Sequence, residues 1–223
     1  MNKMEVRLLI ENIGIVPAIR PATRVSAPDD ARFAAETVFS AGIPIAEINM
    51  SVPGGIGVIA HLAKKFPEAI VGADVLDLET ARRCLDAGAS FLTSPGLILE
   101  IVEFALKKDV VVFPGALTPT EVITAWKSGA DLIKVFPCSQ VGGARYIQAL
   151  KRPLGGALLI ASGGVNQQTA LNFILSGATA LGIGAELIPQ EALLGRKEQQ
   201  IRELARRFLG MVKYGRAETL GLS

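Results

Sequence analysis

The chain has one histidine, two cysteines, one tryptophan and no marked excess of either charge among its 223 residues. Each shortage removes a class of chemistry. A lone His61 cannot supply a multi-histidine metal site, and a histidine-dependent nucleophilic triad would have to be built on that one side chain. His61 lies in GGIGVIAHLAKKF, a stretch with its own apolar stripe, and reads as a structural residue on a surface helix. Cys84 and Cys138 fall in different predicted elements and make no disulfide framework, so reduced thiols and a cytoplasmic location are expected. With 23 Lys plus Arg against 21 Asp plus Glu, the formal charge of +2 gives neither a field for nucleic acid nor a polybasic membrane patch. No apolar run approaches the ~18 residues that span a bilayer. The stretch MNKMEVRLLIENIGIVPAIR carries no signal-peptide cleavage pattern. A soluble protein that handles small molecules is expected.

Half of the residues are hydrophobic, enough for one substantial core and one domain over residues 1–223. Eight short β-rich runs recur along it: GIVPAIR, IAEINM, AIVGAD, FLTSP, VVVFPGA, LIKVFP, ALLIASGG and ALGIGAEL. Amphipathic stretches lie between them, the clearest being DARFAAETVFSAG, ETARRCLDAG, LILEIVEFALKK, PTEVITAWKSG and QQTALNFILSG. Four of these end in one small signature, AGI at 41–43, AGA at 87–89, SGA at 128–130 and SGA at 176–178. A glycine there can take the left-handed conformation that terminates a helix. The unit strand–helix is being repeated, which predicts an α/β fold, a closed (β/α)8 barrel, with an open doubly wound sheet as the alternative. Residues 1–13 read as an extra helix at the closed end. Residues 191–210 read as the last barrel helix, followed by a polar tail, YGRAETLGLS.

In such a barrel the active site forms at the carboxyl ends of the strands. Lys134, in GADLIKVFPCSQ, sits there inside an apolar run. Strand alternation puts Leu132, Lys134 and Phe136 on one face and Ile133 and Val135 on the other, so the lysine points inward if the second pair packs on helices. Burial disfavours an ammonium, and a lysine whose pKa is depressed in this way can attack a carbonyl and form a Schiff base. A structural ion pair with a carboxylate is the other reading. Schiff-base chemistry needs an acid and base within reach, and Glu47, inward by the same alternation in IAEINM, is the candidate. Arg20 at the end of GIVPAIR suits a carboxylate ligand. SGGV at 162–165 and GIGAEL at 182–187 end the seventh and eighth strands, where glycines let backbone amides approach an anion such as a phosphate.

Together these residues resemble the 2-dehydro-3-deoxy-phosphogluconate / 4-hydroxy-2-oxoglutarate aldolases, class I enzymes of (β/α)8 fold and usually homotrimers. The resemblance is carried by VPAIR, AEI, EAIVGA, AGASFLTSPGL, FPGALTPTE, IKVFP, SGGV and the glycines of the eighth strand. It implies Lys134 as the Schiff-base lysine and Glu47 as acid and base. It implies Arg20, Thr118, Pro95, Gly96 and Ser162 near the substrate, with Gly163, Gly164 and Gly184 around a phosphate or carboxylate. The implied reaction is reversible cleavage of a 2-keto-3-deoxy sugar acid phosphate, or a 4-hydroxy-2-oxoglutarate-like acid, to pyruvate and an aldehyde, with no metal and no cofactor. Three positions depart from the family pattern. Ser51 stands where many members have arginine, the strand-three segment reads GADVL with Asp74 near a missing threonine, and Ala185 replaces a serine at the phosphate end. All three are substrate-contact positions in the family, so Asp74 joins the substrate-binding set and Ala185 the phosphate-binding set. Two other functions stay open: a phosphate-binding barrel isomerase or epimerase without a covalent intermediate, and a non-catalytic keto-acid binder.

Overall fold

A computed structural model describes residues 1–21 and 27–221. One parallel sheet runs through β1 (Ile15–Ile19), β2 (Ile45–Asn49), β3 (Ile70–Asp74), β4 (Phe91–Thr93), β5 (Val111–Phe113), β6 (Gly115–Ala116), β7 (Ile133–Val135), β8 (Leu159–Ser162) and β9 (Ala180–Ile183). The strand order β5-β4-β3-β2-β1-β9-β8-β7-β6 begins and ends on segments that only Pro114 separates. The predicted fifth strand is therefore split in two rather than continuous. Proline has no N–H to give to a ladder. Its carbonyl still accepts from the Lys134 amide at 2.9 Å, so β5 pairs with β4, β6 pairs with β7, and the barrel closes across the break. Counted by chain segments, this is the (β/α)8 barrel.

The helices are α1 (Lys3–Ile13), α2 (Ala27–Ser40), α3 (Gly55–Lys65), α4 (Leu78–Asp86), α5 (Leu99–Lys107), α6 (Pro119–Lys127), α7 (Ala144–Lys151), α8 (Ala170–Leu175), α9 (Gln190–Leu194) and α10 (Glu198–Thr219). The recurrent glycines close helices as expected: Gly42, Gly88, Gly129 and Gly177 all have φ between 93° and 99°. The C-terminal expectation needs correcting. The last helix starts at Glu198 and continues through most of the polar segment to Thr219, because Ile201, Ala205, Phe208, Val212 and Gly215 keep a buried stripe. The final two residues of that predicted tail lie outside the described residues.

Extra helix α1 opens with a capping box between Asn2 and Glu5 and ends at Gly14 in left-handed geometry. Lys3 pairs with Asp131, just before β7, at 3.1 Å. Arg216 of α10 donates to the carbonyls of Glu11 and Asn12 and, at 3.0 Å, to that of Thr179. Those anchors precede the strands, so α1 covers the amino-terminal end and leaves the carboxyl end as the mouth.

Strand pairing fixes what faces inward. Glu47 lies opposite Ala18 and Gly72, Asp74 opposite Asn49 and Thr93, Lys134 opposite Gly115 and Ile160, and Ser162 opposite Gly182. Phe91 and Phe113 stack at 5.1 Å and fill the interior, which Gly72 permits: a Cβ there would fall 2.1 Å from the Phe91 ring. The alternate residues, Ile133 and Val135 among them, are fully buried on the outer face against the helices, giving the near-continuous apolar runs of a two-sided sheet.

Candidate active site

Three strand ends bring one lysine and two carboxylates together. Lys134 is 5% exposed and Glu47 3%. The Lys134 Nζ donates to Glu47 Oε1 at 3.1 Å and lies 3.6 Å from Asp74 Oδ2. Asp74 is held from the other side by Asn49, whose Nδ2 donates to the same Oδ2 at 2.9 Å, while Asn49 Oδ1 accepts from the Ser51 amide at 2.9 Å. The Phe136 ring centroid lies 5.9 Å from the Lys134 Nζ, within range of a cation–π attraction.

The charge state differs from the expectation that a dry enclosure leaves the amine neutral. Burial does push the Lys134 pKa down, but Glu47 and Asp74 together outweigh it and hold the group above the ordinary lysine value. The two carboxylates thus favour the ammonium form of the side chain. Glu47 moves the other way from a normal carboxyl: burial, with a smaller push from Asp74, raises its pKa against the opposing pull of Lys134. A proton shared across 3.1 Å therefore has a carboxylate of increased basicity to go to.

These groups open into a cavity of about 850 Å³ at the carboxyl ends of the strands. Arg20, Glu47, Asp74, Pro95, Lys134, Ser162, Gly163, Gly164, Gly184 and Ala185 all line it, as do Asn49, Met50, Phe136 and Glu186. Arg20 is exposed at the rim. The SGGV segment is a tight bend, with Gly163 and Gly164 both at φ 83°. A side chain on Gly164 would meet Ser139 Oγ at 2.1 Å, so that turn needs glycine for space as well as for conformation. Gly96 and Thr118 are not among the lining residues. Gly96 accepts a hydrogen bond from Ser94 Oγ at 2.7 Å and packs over Gly115. Thr118 is the N-cap of α6, its Oγ1 donating to Glu121 Oε2 at 2.9 Å in a capping box. The TPTE spacing carries that cap signature. Sequence reasoning passed over Asn49 as a holder of Asp74, although its parity with Glu47 placed it on the inner face.

A buried lysine between carboxylates at the mouth of a (β/α)8 barrel defines a class: barrel enzymes that handle carbonyl compounds through an amine. The family model for KDPG and KHG aldolase matches residues 10–204, and the chain belongs to that family of carbon–carbon lyases. It is 30% identical to the 2-dehydro-3-deoxy-6-phosphogalactonate aldolase of Escherichia coli K12, over 78% of this chain and 85% of that one. It is 29% identical to the KHG/KDPG aldolase of the same organism, over 77% and 81%. Among solved structures, native KDPGal superposes with a TM-score of 0.81 at 27% identity, covering 90% of this chain and 95% of the other. The Legionella pneumophila KDPG aldolase, captured with pyruvate as a covalent carbinolamine, shares the fold with a TM-score of 0.80 at 24% identity, covering 89% and 95%.

Proposed function

We propose that Lys134 carries a class I aldol cleavage in which Glu47 moves the protons. The substrate is a 2-keto-3-deoxy sugar acid phosphate, or a 4-hydroxy-2-oxoglutarate-like acid, and the products are pyruvate and an aldehyde. The observation that carries the reading is the buried 3.1 Å contact between the Lys134 Nζ and Glu47 Oε1, both of them lining the cavity. When the keto carbonyl enters, the ammonium gives its proton to Glu47 and the amine attacks C2. Glu47 returns that proton to the carbinolamine oxygen so that water leaves, and the iminium forms. The iminium then withdraws the electron pair of the C3–C4 bond as the C4 hydroxyl loses its proton and becomes the aldehyde carbonyl. That proton, passed on by Glu47, reaches C3 of the enamine, and water hydrolyses the resulting iminium to free pyruvate and Lys134. Ordinary lysine chemistry stalls because the free amine is scarce; here the base stands next to the amine.

Ser162 and the Gly163–Gly164 turn, with Gly184 and Ala185 across from them, form the end of the cavity suited to a phosphate or carboxylate, with Arg20 at its rim. The enzyme is read as one barrel domain over residues 1–223 and as a homotrimer, on the family resemblance. It is assigned to cytoplasmic carbohydrate metabolism, and the two unpaired, buried cysteines fit a reducing compartment. The test is pyruvate release from a panel of 2-keto-3-deoxy acids, phosphorylated and not, with wild-type protein and Lys134→Arg. Wild type is expected to release pyruvate and the variant to lose more than about 10³-fold, since a guanidinium stays charged and forms no imine. Equal turnover by both proteins would reject the reading.

A further inference from the structure

We propose that Asp74 is a further catalytic residue, the base that takes the proton from the hydroxyl on the carbon being cleaved. The inference rests on the Schiff-base reading above and assigns a step that Lys134 and Glu47 leave open. Asp74 Oδ2 is fully engaged, accepting from Asn49 Nδ2 at 2.9 Å and facing the Lys134 Nζ at 3.6 Å. Among the described residues its Oδ1 has no hydrogen-bond partner; that oxygen is buried, and the side chain, 10% exposed, lines the cavity. Across the strand pair, the hydroxyl of Thr93 is also buried without a partner among the described residues. An unsatisfied buried carboxylate oxygen is costly unless a donor arrives, and Asp74 lines the cavity from which a substrate hydroxyl would come.

Geometry selects which donor. Once Nζ is bonded to C2 of the substrate, the C4 hydroxyl is separated from it only by C2, C3 and C4. A carboxylate 3.6 Å from Nζ is within reach of that hydroxyl. A substrate anion in the same place would face a like charge, so a hydroxyl is the group accepted. The step balances. The hydroxyl proton moves to Asp74, C4–O becomes a carbonyl, the C3–C4 bond breaks, and its electron pair forms the C2–C3 double bond as the iminium nitrogen becomes neutral. The aldehyde leaves, a proton returns to C3 through Glu47, and Asp74 is restored as the carboxylate.

The test separates two half-reactions of the full-length protein, using Asp74→Asn and, as a second variant, Asp74→Thr. Exchange of pyruvate methyl protons into heavy water, followed by NMR, needs the imine and Glu47 but no C4 hydroxyl. Retro-aldol cleavage needs all three groups. Both variants are expected to keep exchange within about threefold of wild type while cleavage falls by about 10²-fold or more, the usual scale for loss of a general base. Cleavage unchanged alongside exchange would overturn the proposal. Loss of both by the same factor would overturn it as well, because Asp74 would then act only on the charge of Lys134. Absence of exchange in the wild-type protein would instead reject the Schiff-base reading itself.

Discussion

Replacing Glu47 by glutamine separates the charge on Lys134 from proton delivery to the substrate. At 3.1 Å, and with an effective dielectric of about 20, the Glu47 charge attracts the ammonium by about 5 kcal/mol. That is a ceiling, since glutamine keeps an oxygen that accepts from Nζ and the surroundings relax. Removing one nearby opposite charge typically lowers a pKa by about one to three pH units. In the wild-type protein two carboxylates outweigh burial and hold Lys134 above the ordinary lysine value. In Glu47→Gln burial is opposed by Asp74 alone, so the ammonium should lose its proton at a pH about one to three units lower. The assay is NMR titration of lysines labelled at Cε, with the Lys134 signal assigned from its disappearance in Lys134→Ala. Cleavage should nonetheless fall by about 10²–10⁴-fold, because a freer amine without its acid and base cannot dehydrate the carbinolamine. A titration midpoint that stays put, or moves up, would refute the claim that Glu47 sets the charge of the lysine.

Two further outcomes follow from packing and burial. Gly72→Ala drives a methyl to 2.1 Å from the Phe91 ring inside the barrel, and should lower stability by about 1–3 kcal/mol in urea titration; a neutral effect would mean that the Phe91–Phe113 stack moves freely. Burial pushes the thiols of Cys84 and Cys138 up to about 11, so the reactive thiolate is scarce at pH 8 and appears only as pH rises toward that value. Iodoacetamide should label the native protein at pH 8 more than about 100-fold slower than the unfolded chain, and rapid native labelling would contradict the burial.

Much of the barrel was legible because its signals are local. The glycines at 42, 88, 129 and 177 close helices by their own conformation, and alternation within LIKVFP and IAEINM sets Lys134 and Glu47 on the face opposite their apolar neighbours, which is the inner one once those neighbours pack on helices. The split at Pro114 is also a local effect, yet seeing that both halves still join one barrel requires knowing that the Pro114 carbonyl meets the Lys134 amide. The charge on Lys134 could not be read in the same way. It depends on a carboxylate 87 positions away, Glu47, and on a second carboxylate in a third strand, and burial alone gave the opposite direction. Thr118 illustrates a competition between two readings of one motif: TPTE marks a helix start, and that is the role its hydroxyl fills here.

The most direct test of the account is borohydride reduction of the protein in the presence of pyruvate, followed by peptide mapping. A pyruvate-dependent mass gain confined to Lys134, and missing from Lys134→Ala, is the predicted result. No adduct, or an adduct on another lysine that persists in the variant, would contradict it.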